Sequence, residues 1–244
     1  MVSQSRALPV LITRPEPQAS RFASDLQERY GGLIEVVLSP LLSPRLLHPK
    51  LPAGPFGAIV LTSETGARAA AAARDLPKRA YCVGDRTAEV ARSVGFDAQS
   101  ADGDADRLFD LLRNRSEDAP FLHLRGRDAR GDLSARLSAA GVAAQQAVVY
   151  VQEPAVLSAK AVAALNGFGP VIVPLLSPRT AEIFLGELNN LPNAPQSLPR
   201  LRIAALSPAI AAVFANCPAQ HIETAAAPSQ AELFLVLDRF IFTA

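Results

Sequence analysis

Small and hydroxyl residues recur where the apolar runs of this sequence end. Thr62-Ser63 follows Ala58–Leu61, and Gly84 with Thr87 follows Ala80–Val83. Ser177-Pro178 follows Val171–Leu176, and Ser207-Pro208 follows Arg202–Leu206. A serine or threonine where a helix begins ordinarily caps it by accepting a backbone N–H. The same helix starts carry unpaired N–H groups and a positive dipole end, which suit a carboxylate or phosphate. Any one of these residues is readily a cap. Four at equivalent places point to an anion-binding edge. Arginines form a second set: Arg14 after the first apolar run, Arg125 after Phe121–Leu124, and Arg130 just before the next helical pattern. The chain has three lysines, Lys50, Lys78 and Lys160, so each arginine taken singly is as readily a solvated or structural residue. Arg14 and Arg125 occupy matching places, which favours a shared role. Tyr150, one of three tyrosines, ends the run Ala147-Val148-Val149. It either anchors a strand end or offers a phenol able to donate a proton.

Other chemistries lack their residues. Cys82 and Cys217 lie far apart, as do His48, His123 and His221, so neither a disulfide framework nor a Cys/His metal site is expected. Gly167-Phe168-Gly169 is followed by Pro170 and precedes a strand pattern, which rules out a dinucleotide turn. The stretch Gly126 to Gly131 lacks the lysine and hydroxyl of a phosphate loop, and there is no G-x-S-x-G elbow.

The elements that position these residues alternate. Val10–Thr13, Ile34–Leu38, Ala58–Thr62, Ala80–Val83, Phe121–Leu124, Ala147–Val151, Val171–Leu176 and Arg202–Leu206 read as strands, nearly free of charge as buried parallel strands are. Between them lie amphipathic helices. Ala19, Phe22, Ala23, Leu26 and Tyr30 make one apolar stripe ending at Gly31. Thr87, Val90, Ala91 and Val94 make another, ending at Gly95, and Leu133, Leu137 and Ala140 a third, ending at Gly141. Ser229 with Glu232 is a capping box before Leu233, Val236, Leu237 and Phe240. The fold class is therefore α/β with parallel sheets flanked by helices.

The pattern also repeats. VLITRPEPQASRFASDL (10–26) parallels LHLRGRDARGDLSARL (122–137), and AIVLTSETGARAA (58–70) parallels VIVPLLSPRTAEIF (171–184). YCVGDRTAEVARSVGFDA (81–98) parallels IAALSPAIAAVFANCPAQ (203–220), and DADRLFDLLR (104–113) parallels SQAELFLVLDR (229–239). This is duplication of an α/β unit. Two similar lobes usually enclose a cleft, and ligands favour domain interfaces.

Composition bounds the class. The chain has 244 residues, 49% of them apolar and 19% charged, with a net charge of +1, so it can bury a core and is not disordered. No stretch approaches the ~18 uncharged apolar residues of a membrane span. Balanced charge argues against nucleic acid as a partner and leaves a small anion. The apolar run near the start, Leu8 to Ile12, is too short for a secretory signal, so a cytoplasmic location is expected.

Together the segments LITRPEPQA, IVLTSETGARA, YCVGDRTAEVARSVGFDA, LHLRGRDARGDLSARLSAAGVAAQQAVVYVQ, LLSPRTAEIF and TAAAPSQAEL resemble the uroporphyrinogen-III synthase family. They cover nearly the whole chain in order. The resemblance implies a bilobal fold: residues 1–37 with 152–244 in one lobe, 42–147 in the other, and a two-stranded connector at 38–41 and 148–151. It implies a lyase of haem biosynthesis that closes hydroxymethylbilane, a linear tetrapyrrole with eight carboxylates, into uroporphyrinogen III. The terminal hydroxyl leaves as water, and the last pyrrole ring is inverted through a spiro intermediate. No cofactor or metal is implied. The implied partner is the small-molecule substrate alone, on a monomer. The bilane cyclises unaided to the uninverted isomer, so such an enzyme acts mainly by positioning, with one weak acid to help the hydroxyl depart.

The resemblance maps that acid onto Tyr150. It maps carboxylate-holding positions onto Thr62, Ser63, Gly84, Thr87 and Ser177. Arg14, Arg125, Arg130 and Ser207 complete the expected substrate-binding set. One departure is visible: where the family pattern would place a second Gly-x-x-Thr, this chain reads Ser207-Pro208-Ala209-Ile210. The threonine hydroxyl is gone and proline removes one N–H. The alternative to the enzyme is a non-catalytic tetrapyrrole-binding or regulatory protein of the same fold.

Overall fold

The structure, a computed structural model, describes residues 7–128, 131–192, 198–217 and 221–243. The chain forms two compact units, Met1–Ser43 with Pro154–Ala244, and Pro44–Glu153.

The first unit is built on β1 (Leu8–Ile12), β2 (Ile34–Leu38), β9 (Val171–Leu175), β10 (Leu201–Ala205) and β11 (His221–Thr224). They form one sheet in the order β11-β10-β9-β1-β2, and the pairs are parallel. The inner strands are buried on both faces, so their apolar residues run on without alternation. Leu11, Val171, Val173, Leu175 and Ile203 face one apolar cluster, and Val10, Ile12, Ile172 and Ala204 face the other. The connecting helices are α1 (Gln18–Tyr30), α6 (Ala159–Asn166), α7 (Pro178–Asn189), α8 (Pro208–Ala212) and α9 (Gln230–Phe242). The stripe expected on α1 is the buried face, with Ala19, Phe22, Leu26 and Tyr30 all buried.

The sheet of the second unit comprises β3 (Leu42–Leu46), β4 (Ala58–Leu61), β5 (Arg79–Cys82), β6 (Asp97–Ser100), β7 (Phe121–Gly126) and β8 (Ala144–Pro154). Its order is β3-β8-β7-β4-β5-β6, and β8 through β6 pair in parallel. Helices α2 (Glu64–Ala71), α3 (Asp85–Ser93), α4 (Ala105–Arg113) and α5 (Leu133–Ala139) connect these strands. Ile59, Leu61, Leu122 and Leu124 lie in one cluster with Ala67 and Ala88, and Val60 and Phe121 lie in the other with Leu108, Leu112 and Leu137.

The repeats predict more than the elements. They equate β1 with β7, β9 with β4, and β10 with β5. Under that correspondence the sheet orders coincide: β11-β10-β9-β1-β2 in one unit, β6-β5-β4-β7-β8 in the other, with β3 added at the end.

Differences from the sequence reading concern edges. The apolar pattern does not predict β3, β6 or β11, and each is an edge strand. β2 occupies Ile34–Leu38 and β3 follows at Leu42–Leu46. Flanking the β3–β8 pair, the Leu47 N–H donates to Val149 O at 2.8 Å and the Ala155 N–H donates to Leu41 O at 3.0 Å, an antiparallel pattern. Arg125 lies within β7 and not beyond it, so it does not match Arg14, which follows β1.

Candidate functional site

Ser63 starts α2. Its backbone is extended, and its Oγ accepts the Gly66 N–H at 3.0 Å, so the capping role is real. The same Oγ lies 3.0 Å from the phenolic oxygen of Tyr150. Tyr150 stands on β8, and Ser63 follows β4, with β7 between those strands. The ring therefore has to pass over β7, and it does so at Gly126, the last residue of that strand. A register shift at this point pairs Arg125 with Val148 and Gly126 with Tyr150, skipping Val149. A Cβ on Gly126 would sit 2.5 Å from Cζ and 2.8 Å from the hydroxyl of Tyr150. Only a glycine leaves this path open. Beside the half-buried phenol lies a pocket of about 80 Å³ lined by Gly126, Arg127, Asp128, Tyr150 and Gln152. That is room for a fragment such as one hydroxymethyl group, far below the ~300–1,000 Å³ of a site that swallows a whole ligand.

Either hydroxyl can donate in this pair, since a serine oxygen that accepts the Gly66 N–H keeps a second lone pair. When Ser63 donates, the phenolic hydrogen is left to point elsewhere.

Thr62 is half-buried, with its Oγ1 3.1 Å from Nε2 of His123 on β7. His123 is only 5% exposed. Burial pushes its pKa down to about 4, with Arg125 adding to the effect and Asp132 opposing it. The ring is therefore neutral at physiological pH. Gly84 is the N-cap of α3, which has no side-chain cap, and Thr87 is buried in its first turn. The first N–H groups of α3 are thus not taken by a capping side chain. Arg125 donates from Nη1 to Gln146 Oε1 at 2.9 Å and from Nε to Gly126 O at 3.2 Å. Arg130 lies outside the described residues.

Thr62, Ser63, Gly84, Thr87, Arg125 and Tyr150 thus gather at the carboxyl edge of the six-stranded sheet, where open α/β sheets bind ligands. The remaining expected residues sit at the carboxyl edge of the other sheet. Ser177 caps α7, accepting the Thr180 N–H at 3.2 Å and donating to Thr180 Oγ1 at 2.8 Å, so both its functions are local. Ser207 is the N-cap of α8 but makes no side-chain capping bond. The Arg14 guanidinium lies 5.7 Å from the centre of the Phe22 ring, a cation–π distance. Spacing in the sequence singles out neither His123 nor Gly126. A signal for His123 is nonetheless present, since it is the one polar residue in the run Phe121–Leu124.

Among the described residues no three His, Cys, Asp or Glu side chains are grouped to hold a metal ion, and no helix is long and apolar enough to cross a membrane.

Two duplicated parallel sheets whose carboxyl edges carry helix starts, hydroxyls and a phenol define an α/β protein with donors suited to an anionic ligand. A family model described as uroporphyrinogen-III synthase HemD matches residues 9–234, and the chain belongs to that family. The family's activity is the dehydrating closure of hydroxymethylbilane to uroporphyrinogen III, a lyase step of haem biosynthesis. Among solved structures, the chain is similar to uroporphyrinogen-III synthetase from Helicobacter pylori 26695, with 17% identity, a TM-score of 0.61, and coverage of 96% of this chain and 99% of that one. A mutant uroporphyrinogen III synthase from the extremely thermophilic bacterium Thermus thermophilus is also matched, at 14% identity and a TM-score of 0.43, over 96% of this chain and 97% of that one. A comparison with curated protein sequences returned no significant match.

Proposed function

We propose that this chain turns hydroxymethylbilane into uroporphyrinogen III with Tyr150 as the proton donor and the donors at the carboxyl edge of the six-stranded sheet as holders of substrate carboxylates. The observation that carries the reading is the Ser63–Tyr150 contact of 3.0 Å across Gly126. Tyr150 gives its proton to the terminal hydroxyl of the bilane as the C–O bond breaks, and water leaves. The electron pair of the pyrrole nitrogen fills the carbon left behind, forming the azafulvene. The Ser63 hydroxyl, donating to the phenolic oxygen, supports the negative charge that Tyr150 acquires. The substituted carbon of the last pyrrole attacks, and the spiro intermediate opens and recloses with that ring inverted. The proton lost when the ring regains aromaticity returns to Tyr150. Atoms balance: one water is lost and the phenol is restored.

Holding the bilane falls to short donors. Thr62, the first N–H groups of α3 at Gly84 and Thr87, and Arg125 serve at the carboxyl edge of the six-stranded sheet. The hydroxyls and amides among these donors are neutral and hold carboxylates without trapping them, which suits a product as anionic as the substrate.

Incubation with freshly generated hydroxymethylbilane tests the proposal. The type III isomer is expected. Only the type I isomer, which forms without a catalyst, would make the chain a binder of the same fold.

A further inference from the structure

We infer that His123 is a positioning residue whose Nε2–H fixes the Thr62 hydroxyl as a hydrogen-bond donor to a substrate carboxylate. The inference rests on the reading above, in which Thr62 faces the bilane.

Two observations carry it. Thr62 Oγ1 and His123 Nε2 are 3.1 Å apart, so one donates to the other. His123 Nδ1 is fully buried and finds no hydrogen-bond partner among the described residues. A neutral imidazole has one N–H and one bare nitrogen. Were the hydrogen on Nδ1, a buried N–H would be left without an acceptor, and such orphaned donors are rare. With the hydrogen on Nε2, Nδ1 is only a buried lone pair, the lesser cost. Nε2 then donates to Thr62. A threonine oxygen that accepts this bond has its own hydrogen directed away from the ring.

The charge around His123 agrees. A second proton would have to enter a site that is only 5% exposed and faces the Arg125 guanidinium, with Asp132 as the opposing charge. The ring stays neutral, and the direction of the Thr62 hydroxyl does not change with pH near neutrality. Thr62 alone could spend its hydrogen on the ring. With His123 as the donor, one lone pair of Thr62 is taken and its hydrogen is left for a ligand acceptor such as a carboxylate oxygen.

The first test needs no activity. Long-range proton–nitrogen NMR of the histidine rings, assigned with His48→Gln, His221→Gln and His123→Gln, should show His123 protonated on Nε2 at pH 7. Protonation on Nδ1 overturns the inference. The second test is kinetic. His123→Leu removes the donor and should raise KM for the bilane about 10-fold, the loss of one hydrogen bond to a charged group, with kcat little changed. His123→Gln keeps an Nε2 donor and should recover most of that loss. Thr62→Val should match His123→Leu, and the double variant should be no worse than either, since the two remove one interaction. Additive losses, or no recovery with Gln, would make His123 merely structural. Absence of type III product from the unaltered enzyme would instead sink the proposed function, while the NMR result would still judge the tautomer.

Discussion

The Tyr150 ring lies over Gly126, with Cζ 2.5 Å from where a Cβ would stand. Backbone register and side-chain absence act together here. The shift between Arg125 and Gly126 turns Tyr150 toward β7, and the missing side chain lets it across to Ser63. Gly126→Ala should therefore displace the phenol. Overpacking of this kind costs about 1–3 kcal/mol, to be read from urea unfolding. Turnover should fall to the level of Tyr150→Phe, and combining the two should lower it no further. An unchanged turnover in Gly126→Ala would mean that the ring's position does not matter.

Tyr150→Phe keeps the ring and removes the acid. Turnover should fall about 10- to 1,000-fold, at or below the usual range for a general acid, because ionisation of the bilane is already easy. The residual enzymatic product should remain type III, since the phenol supplies a proton and not the geometry. Chromatography of the uroporphyrin isomers alongside the rate reads both. Wild-type turnover would remove Tyr150 from the chemistry.

Ser63 has two tasks that substitution can separate. Ser63→Ala loses the cap of α2 as well as the hydroxyl, at about 1 kcal/mol of stability. Ser63→Asp keeps an acceptor for the Gly66 N–H and so should hold the stability. It leaves Tyr150 facing an acceptor, which binds the phenolic proton, so kcat should drop as in Ser63→Ala. If Ser63→Asp turns over normally, Ser63 is a cap and nothing more.

Most of the strands legible in the sequence are buried on two faces. β1, β4, β7, β9 and β10 are apolar runs because helices cover both sides of them, and β2, though an edge strand, reads as one too. β3, β6 and β11 escape such a reading because an edge strand buries less: Asp97-Ala98-Gln99-Ser100 carries one buried residue, and His221–Thr224 none. In the site, Thr62 and Ser63 are legible as hydroxyls that follow a strand, and Tyr150 as a phenol closing an apolar run, although β8 continues past it to Pro154. Their partnership is not. Tyr150 meets Ser63 because of a one-residue register shift and a bare glycine, neither of which leaves a periodic trace. His123 draws no notice because three scattered histidines suggest no metal site. Its partner, the Thr62 hydroxyl, is 61 residues away in sequence.

Asp118 predicts one acid-sensitive contact away from the site. It accepts from the Tyr81 hydroxyl at 2.5 Å and pairs with Arg79 Nη1 at 2.5 Å. The Tyr81 bond first, and Arg79 after it, hold the carboxyl below the usual carboxylate range. Burial, with Asp118 adding to it, pushes Tyr81 up to about 12. A carboxylate whose folded pKa is depressed stabilises fully above its unfolded value of about 3.9, and the contribution fades as pH falls through the lower folded value. Asp118→Asn should therefore unfold at lower urea than the unaltered chain at pH 7, with the gap closing below about pH 4. A gap independent of pH would mean that the carboxylate's charge is not what stabilises.

His123 predicts the opposite arrangement, a group that must stay neutral. Its folded pKa is pushed down to about 4 by burial, with Arg125 adding to this and Asp132 opposing it, against about 6.5 in an unfolded chain. Between those values the unfolded chain binds a proton that the folded one refuses, so stability falls as pH falls. A pH of 5 lies about 1.5 pH units below the unfolded pKa, and at about 1.36 kcal/mol per unit the loss relative to pH 7 is about 2 kcal/mol. Below about pH 4 both states are protonated, and this contribution to the slope ends. His123→Gln cannot titrate and should lack this segment of the curve, although it retains a donor for Thr62. Urea unfolding of both proteins at pH 7, 6 and 5 gives the comparison. The unaltered chain should lose about 2 kcal/mol more than His123→Gln across that range. Parallel losses in the two proteins would show that His123 accepts its proton in the folded state, as an exposed histidine does.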